Sequence, residues 1–462
     1  MLTETPDRYQ PPAPQPLSPL RSLLRVMRQG DGDLLSLVPR DAYTKPVTRL
    51  GYSRRSILLI NDPSLARDVL TDPLDIFPKN DLMVGALTPL VGESVFVSNG
   101  VQWRRQRQMI DPAFSHMRIG RAFAAMRGAV DDYIERLDAD VAAQRDVSLD
   151  LAMSELTADI ICRTIFSQSL QGQTARDVFE AFGEFEDSVA NVNLWQLILG
   201  KPWADVKQPA NVLAACARIR SHIGSLLDAR LARGADAEDD IVTSIVAARD
   251  AETGEPFTRE ELIDQIGVFF LAGHETTASV LTWVFFILGE REDIATMVRD
   301  EVAGVVGDGD IRFEHVKQLP VIRSIFREAL RLYPPITFIP RVAAEKTRIG
   351  DETVKRGAML MISPWTAHRN TLLWRDADRF DPLRFHGAGD SEDSGVFMSF
   401  GLGPRVCVGA AFATIESTLI IAALARRYNF SVREPERVRP VARLTTRPAE
   451  EIRVQLTRRG DV

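Results

Sequence analysis

The longest apolar segment of the chain, from Ile266 to Leu288, contains a single formal charge, on Glu275. Just ahead of it, Thr258 and Glu261 form a T-x-x-E capping box, a pattern typical of the first residues of a helix. At about 1.5 Å per residue, a helix that includes this cap and the whole segment would be about 48 Å long. A helix of that length either spans a membrane or runs through the middle of a large domain.

The polar residues within the segment favour the buried helix over the membrane span. An acidic side chain at the centre of a span costs about 2.5–3.5 kcal/mol, and His274, Thr276 and Thr277 add further polar groups beside it. A zinc protease would need the pattern H-E-x-x-H, but Ala278 occupies the position of its second histidine. We therefore expect neither a membrane span nor a zinc site of this type.

Glu275 and Thr276 together form an acid and alcohol pair that could serve a reaction. Ala272 and Gly273 share a helix face with Thr276, and small residues there would let a flat group approach the backbone. The alternative is structural, because a buried threonine often bonds back to a helix carbonyl and bends the helix. The segment alone leaves both interpretations open.

The composition is typical of a globular protein. Hydrophobic residues make up 45% and charged residues 26% of the 462 residues, so a large core is expected. The net charge of −7 makes nucleic acid an unexpected partner. The three cysteines, Cys162, Cys216 and Cys407, have no C-x-x-C spacing. This argues against a zinc ribbon or a disulfide framework and favours a cytoplasmic location.

The first 19 residues contain six prolines, and Glu4 and Asp7 stand where a signal peptide would be basic. We expect a Pro-rich, extended leader over residues 1–19 without fixed contacts to the core. No later segment clearly separates two domains, so residues 20–462 are expected to form a single domain.

The pattern of the remaining chain predicts a mainly α fold with smaller β-sheets, an α+β class. Helical periodicity dominates from Asp62 to about Leu330, with loops expected over Phe77–Ser94 and Leu199–Asn211. The expected strands are Val47–Leu50, Ser56–Ile60, a hairpin around Gly350 and Asp351, the following strand Ala358–Ser363, and Ile452–Leu456. A helix is expected from about Gly409 to Arg427.

A glycine-rich loop around Cys407 carries the strongest chemical signal. In the stretch FMSFGLGPRVCVGAAF, Gly401 and Gly403 permit a tight loop with positive φ angles, and Gly409 removes side-chain bulk beside the cysteine. A cysteine with N–H donors and a helix N-terminus beside it is favoured as the thiolate. Thiolate is also the form that serves as an axial ligand to iron.

The stretch FGLGPRVCVG matches the heme-binding signature of the cytochromes P-450, the heme-thiolate monooxygenases, and the chain resembles that family. The resemblance implies that Cys407 is the axial ligand of the iron in heme b. It also implies that Phe400 packs beside the sulfur and that Arg405 meets a heme propionate.

Further motifs resemble the family in the same order along the chain. AGHETT resembles the family's long central helix, where Glu275 and Thr276 would deliver protons and Ala272 and Gly273 would face the heme. WRRQR resembles the family's W-x-x-x-R helix, which would place Trp103 and Arg107 at a propionate. Arg341, in FIPRVA, stands where the family often has another propionate ligand. EALR resembles the E-x-x-R helix, in which Glu328 and Arg331 are buried with an arginine of a later loop, here Arg384. That loop departs from the usual pattern at Leu383. The implied fold holds the heme between the central helix and the cysteine loop with its following helix.

The implied activity is that of a soluble, stand-alone, bacterial-type monooxygenase, an oxidoreductase that acts on paired donors with O₂. It would insert one oxygen atom into a small apolar substrate and receive electrons from a ferredoxin- or flavodoxin-type donor with its reductase. Arg104 and Arg105 are candidates for docking that donor. The alternatives are a peroxide-driven or isomerising heme-thiolate enzyme and a non-catalytic heme sensor or carrier. By the same resemblance, the expected substrate contacts are Val268, Phe269, Ile336, Thr337, Phe338 and Thr445.

Overall fold

The computed structural model describes residues 9–18, 21–22, 24–25, 33–50, 53, 55–72, 75–170, 176–177, 179–183, 185, 208–234, 240–387 and 395–460. Along these residues, the first seven α-helices are α1 (Pro63–Leu70), α2 (Asp81–Val91), α3 (Gly100–Ile110), α4 (His116–Ala142), α5 (Leu149–Phe166), α6 (Ala210–Ala232) and α7 (Ile241–Ala247). They are followed by α8 (Arg259–Glu290), α9 (Glu292–Val305), α10 (Phe313–Val316), α11 (Pro320–Leu332), α12 (Pro364–Ala367) and α13 (Ala410–Arg427).

The apolar segment forms the centre of α8, a helix of 32 residues. The predicted capping box begins it, because Glu261 N–H donates to Thr258 Oγ1 at 3.2 Å and Thr258 N–H donates to Glu261 Oε2 at 2.8 Å. By length and composition α8 could cross a membrane, but 83% of its most apolar window is buried inside the protein. It contacts α2, α5, α6, α11 and α13, so the core is built around it.

The strands form small sheets, as the sequence predicted. They are β1 (Val47–Leu50), β2 (Ile57–Ile60), β3 (Val147–Ser148), β4 (Ile339–Val342), β5 (Thr347–Ile349), β6 (Glu352–Val354), β7 (Met359–Ile362), β8 (Tyr428–Val432), β9 (Pro440–Ala442), β10 (Thr446–Pro448) and β11 (Arg453–Arg458). The sheet orders are β1-β2-β7-β4, β3-β11-β8, β9-β10 and β5-β6. Only β2 and β7 pair in parallel among the named strands; the other pairs are antiparallel.

The prediction of a loop over Phe77–Ser94 is wrong, because α2 lies inside it. Gly85 and Pro89 suggested a break in the helical pattern. Pro89 has no N–H for the carbonyl of Gly85, one turn earlier, but Gln208 Nε2 donates to that carbonyl at 3.1 Å instead. The side chain of Gln208 therefore replaces the missing backbone hydrogen bond at the point where the sequence appeared to end the helix. The second predicted loop, Leu199–Asn211, lies mostly outside the described residues.

Residues 9–17 of the leader are bonded to the rest of the protein, contrary to the expectation that the leader has no fixed contacts to the core. Tyr333 Oη, at the end of α11, donates to the carbonyl of Pro12 at 2.7 Å, and Phe380 N–H donates to that of Tyr9 at 3.1 Å. Arg40 N–H donates to the carbonyl of Leu17 at 3.0 Å. Its proline-rich backbone has free carbonyls that accept these bonds, so residues 9–17 lie along the protein surface.

A buried ionic centre supports the region that carries the cysteine loop. Arg331 donates to both carboxylate oxygens of Glu328, at 2.7 and 2.8 Å, and Arg384 Nε donates to the same oxygens at 3.1 Å. Arg331 also donates to the carbonyl of His368 at 2.7 Å. His368 Nε2 in turn accepts from the N–H of Met398, three residues before Gly401. The centre thus joins α11 to the segment that leads into the loop, and His368 is a member that sequence analysis did not identify.

Candidate active site

A cavity of about 1050 Å³ lies between α8 and the cysteine loop. Cys407, Arg405 and Gly409 border it on one side, and Glu275 and Thr276 border it on the other. All the predicted cofactor-binding residues line this one cavity: Trp103, Arg107, Ala272, Gly273, Arg341, Phe400, Gly401, Arg405, Cys407 and Gly409. The structure therefore brings together motifs that are far apart in the sequence.

The cysteine loop has the tight backbone that its glycines predicted. Gly401 has φ +79° and Gly403 has φ +70°, values that other residues rarely adopt. A side chain on Gly403 would also collide with Thr71, because a Cβ there would lie 2.6 Å from its Cγ2 atom. The Cys407 N–H donates to the carbonyl of Phe400 at 2.8 Å, and α13 begins three residues after the cysteine. The loop is thereby closed with the sulfur facing the cavity.

Without a metal ion, the pKa of the Cys407 thiol is raised. Burial among protein atoms raises it, and this outweighs the opposing effects of the Gly409 N–H and of Arg107. A bound metal ion deprotonates a coordinating thiol outright, so the ionised form is expected with the metal.

Four basic side chains line the side of the cavity near Cys407: Lys79, Arg107, Arg341 and Arg405. Arg405 also lies over the ring of Trp103, with its guanidinium carbon 5.1 Å from the ring centre. Sequence analysis did not identify Lys79, whose Nζ donates to the carbonyls of Val95 at 2.7 Å and Ser98 at 2.9 Å. Its only signal in the sequence was its position in FPKN, at the start of the predicted loop Phe77–Ser94.

The basic cluster contains more positive charge than the protein neutralises. Burial, together with Arg405, Arg341 and Arg107, lowers the pKa of Lys79 to about 6. Burial and Arg405 likewise lower the pKa of Arg341 to about 10. Buried like charges are unfavourable unless an anion joins them. The two carboxylates of a heme would supply that anion, so the residues present fit this group.

On α8, Glu275 is held by an ion network that the sequence did not reveal. Arg447, from β10, donates from two nitrogens to its two carboxylate oxygens, with Nε at 2.8 Å from Oε1. Thr445 Oγ1 donates to the same Oε1 at 2.5 Å. Arg447 also forms an ion pair with Asp150 in α5, because its Nη1 donates to Asp150 Oδ1 at 2.6 Å. Burial favours the neutral form of Glu275, but Arg447, with smaller contributions from His274 and Thr445, outweighs it and holds the pKa of this carboxyl well below its ordinary value.

Thr276 makes the hydrogen bond that the structural alternative predicts. Its hydroxyl donates to the carbonyl of Ala272 at 2.6 Å, and it also lines the cavity, so bending the helix and serving the cavity are compatible. Gly273 lines the cavity as expected, and it has a second reason to be small. A Cβ there would lie 2.5 Å from Cδ1 of Ile161, so its small size is needed for the packing of α8 against α5.

The predicted substrate contacts divide into two groups. Val268, Phe269, Ile336 and Phe338 line the cavity. Thr337 does not line it among the described residues, because its hydroxyl lies 3.2 Å from that of Thr446 and its side chain is buried. Thr445 lines the cavity, but its hydroxyl is committed to Glu275. We therefore remove Thr337 from the predicted contacts.

The two arginines that were predicted to dock the electron donor, Arg104 and Arg105, have different environments. Arg105 faces inward, with Asp250 at 3.0 Å and Glu261 at 2.6 Å, and its side chain is 24% exposed. Arg104 is 52% exposed and has a single acidic partner, Asp75 at 3.2 Å, among the described residues. Arg105 therefore stabilises the fold, and only Arg104 remains a candidate for docking a partner.

Comparison with known proteins agrees with this site. The model of the cytochrome P-450 family matches residues 11–456. A cyclooctat-9-en-7-ol 5-monooxygenase of Streptomyces melanosporofaciens is 33% identical over 397 residues, covering 85% of this chain and 82% of that protein. A cytokinin hydroxylase of Arabidopsis thaliana is 28% identical over 398 residues, covering 85% and 77% of the two chains.

Solved structures show the same fold. The crystal structure of the cytochrome P450DA heme domain matches with a TM-score of 0.79 at 21% identity, covering 90% of each chain. Together with the cysteine loop and the basic cluster, these similarities identify the cofactor as heme b and the protein as an oxidoreductase. The chain belongs to the cytochrome P-450 family.

Proposed function

We propose that the protein is a heme-thiolate monooxygenase that hydroxylates or epoxidises a small apolar substrate with one oxygen atom of O₂. The observation that carries this proposal is the single cavity, which joins Cys407 to an apolar chamber and has Glu275 and Thr276 in its wall. The heme, when bound, supplies the activation of O₂, which a thiolate ligand favours by donating electron density to iron.

The residues of the chain bind the cofactor, orient the substrate and control protons. The basic cluster holds the propionates, while Val268, Phe269 and Phe338 exclude water and orient the apolar substrate. Thr276 positions water beside the reacting centre. Glu275, which Arg447 keeps ionised, accepts hydrogen bonds from that water and connects the cavity wall to the surface through Arg447 and Asp150.

The relative with 33% identity suggests the first substrate to test. Its name assigns it to cyclooctat-9-en-7-ol, and the cavity of this chain is lined mainly by apolar side chains. Compounds of this kind, cyclic hydrocarbons with one hydroxyl, are expected to shift the Soret band when they displace water from the heme. The test is a spectral titration followed by product analysis with NADPH, O₂ and a surrogate donor system.

We propose that electrons come from a separate ferredoxin- or flavodoxin-type protein with its reductase, and that the protein acts in the cytoplasm. Arg104, the exposed member of the pair, is the proposed contact. Arg104→Glu should raise the donor concentration needed for half-maximal reduction, and the salt dependence of reduction should become weaker. A donor dependence identical to that of the wild type would remove Arg104 from the interface.

The two alternative activities give different results in the same assay. A peroxide-driven enzyme would form product with hydrogen peroxide and no donor, and faster than with NADPH and O₂. A sensor or carrier would bind heme and ligand but form no product in either case. We expect NADPH-dependent product, because the chain retains both the acid and the alcohol on α8.

A further inference from the structure

The hairpin of β9 and β10 brings an arginine to the wall of the cavity. The three residues at its tip, Arg443, Leu444 and Thr445, all border the cavity. The hydroxyl of Thr445 is committed to Glu275, and Leu444 is apolar. Arg443 is exposed, and its side chain has no hydrogen-bond or ion-pair partner in the described part of the chain. The mechanism derived above makes no use of this residue.

The backbone on both sides of Arg443 is anchored to the core. Immediately before it, Ala442 N–H donates to the buried Asp33 Oδ1 at 2.9 Å. Three residues after it, the carbonyl of Thr446 accepts from Trp283 Nε1, on α8, at 3.1 Å. The short turn between these two anchors leaves little freedom for the backbone at Arg443, so this arginine is held beside the cavity.

Arg443 is the charge in the cavity wall that has no counter-charge. The other charged residues that border the cavity are Glu275 and the four members of the basic cluster. Arg447 balances Glu275, and the propionates of a heme would balance the cluster. Arg443 does not contribute to the lowered pKa of Lys79 or of Arg341, so its charge is separate from that cluster. Within the described residues, neither the protein nor the heme neutralises it.

A carboxylate on the substrate would supply the missing counter-charge. A guanidinium group has five N–H donors in a planar fork, which matches the two oxygens of a carboxylate. Hydrogen bonds between two charged groups are roughly twice as strong as those between neutral groups, so a carboxylate is favoured over a hydroxyl. Val268, Phe269 and Phe338 give the same cavity an apolar wall for a hydrocarbon body. An apolar molecule with one carboxylate fits both parts of the cavity.

We propose that Arg443 is a specificity-determining residue that binds the carboxylate of an apolar carboxylic acid, the substrate class of this protein. The anchored hairpin holds the guanidinium at the cavity wall, and the bound carboxylate then limits which carbon atoms of the substrate reach the reacting centre. This inference rests on the proposed monooxygenase function for the oxidation of the acid, but not for its binding.

Binding is tested first, without turnover, by Soret titration of the heme-loaded protein with dodecanoic acid, abietic acid and the methyl ester of each. Arg443→Gln should bind the acids about tenfold more weakly and the uncharged esters as the wild type does. Added salt should weaken binding of the acids to the wild type only. Arg439→Gln, at an exposed arginine outside the cavity, is the matched control and should bind all four compounds normally.

Three results would overturn the proposal: neither acid binds to the wild type, Arg443→Gln binds the acids normally, or it loses acids and esters equally, as expected of a packing role.

Turnover with NADPH, O₂ and a surrogate donor separates this inference from the proposed function. The wild type should oxidise a bound acid mainly at one carbon, whereas Arg443→Gln should have a severalfold higher KM for the acid and oxidise it at more positions. If the acids bind through Arg443 but the wild type forms no product, the proposed function fails and the inference stands. If neutral compounds are oxidised while acid binding does not depend on Arg443, the inference fails and the function stands.

Discussion

Arg447 and Glu275 are joined through both carboxylate oxygens, although 172 residues separate them in the chain. The pair links the helix that crosses the core to the short β9-β10 hairpin near the C-terminus. Because the side chain of Glu275 is 5% exposed and that of Arg447 21%, the pair is well shielded from water. The pair thereby holds the acid that borders the cavity in its ionised form.

Arg447→Met should destabilise the protein, because it leaves Glu275 without its partner. Loss of one member of a buried pair costs about 3–5 kcal/mol, and the partial exposure of Arg447 places this case at the lower end. Urea unfolding at neutral pH measures the change. Arg437→Met, which removes an exposed partner of Glu434, is the matched control and should have little effect.

The pH dependence of the same variant should be inverted. In the wild type the pKa of Glu275 is depressed, so its contribution to stability is present above the unfolded value of 4.5 and is lost as the pH falls through the folded value. Without Arg447, burial raises the pKa instead, and stability falls as the pH rises above about 4.5. Arg447→Met should therefore be less stable near pH 7 than near pH 5, relative to the wild type. Parallel pH profiles for both proteins would show that Arg447 does not control this acid.

Lys79→Met should weaken heme retention and remove one pH dependence of the stability of the apoprotein. Since burial and three arginines lower the pKa of Lys79 to about 6, the apoprotein loses stability as the pH falls from about 10.5 towards 6, where this lysine must gain a proton. The methionine variant should lack that dependence and release heme faster to an acceptor protein. Lys45→Met, at an exposed lysine paired with Asp41, should behave as the wild type in both measurements. Unchanged heme release would exclude Lys79 from the propionate site.

Thr276→Ala should uncouple electron use from product formation. The hydroxyl that positions water in the cavity is lost, while the helix loses only one bond to the Ala272 carbonyl and gains a better helix former. We expect NADPH consumption to continue, product per NADPH to fall severalfold and hydrogen peroxide to increase. Thr282→Ala is the matched control, since its hydroxyl makes the same bond to Ala278 at 2.9 Å outside the cavity. Equal coupling in the two variants would leave Thr276 with a structural role alone.

Local patterns account for the parts of this structure that the sequence predicted. The capping box at Thr258 and the positive φ angles at Gly401 and Gly403 depend on residues that are neighbours in the chain. The sequence alone therefore predicts them. The Cys407 loop was recognised as a motif for the same reason. Pro89 shows the limit of such reasoning, because the side chain that completes its helix comes from residue 208.

Contacts between distant segments account for what the sequence did not predict. Three residues carry no local signal in the sequence: Arg447 follows two threonines, Lys79 lies in a loop and His368 is a single histidine. Each acquires its environment only when helices and hairpins pack together, and burial then shifts the pKa of Lys79 and His368 strongly.

The central claim is that Cys407 is the axial ligand of the heme iron in a monooxygenase. The most direct test is the carbon-monoxide difference spectrum of Cys407→Ser after reduction, with Cys162→Ser and Cys216→Ser as controls at the other two cysteines, both buried in the core. We predict that the band at the wavelength for which the family is named disappears in Cys407→Ser and persists in both controls. Persistence of that band in Cys407→Ser at normal heme content would contradict the account.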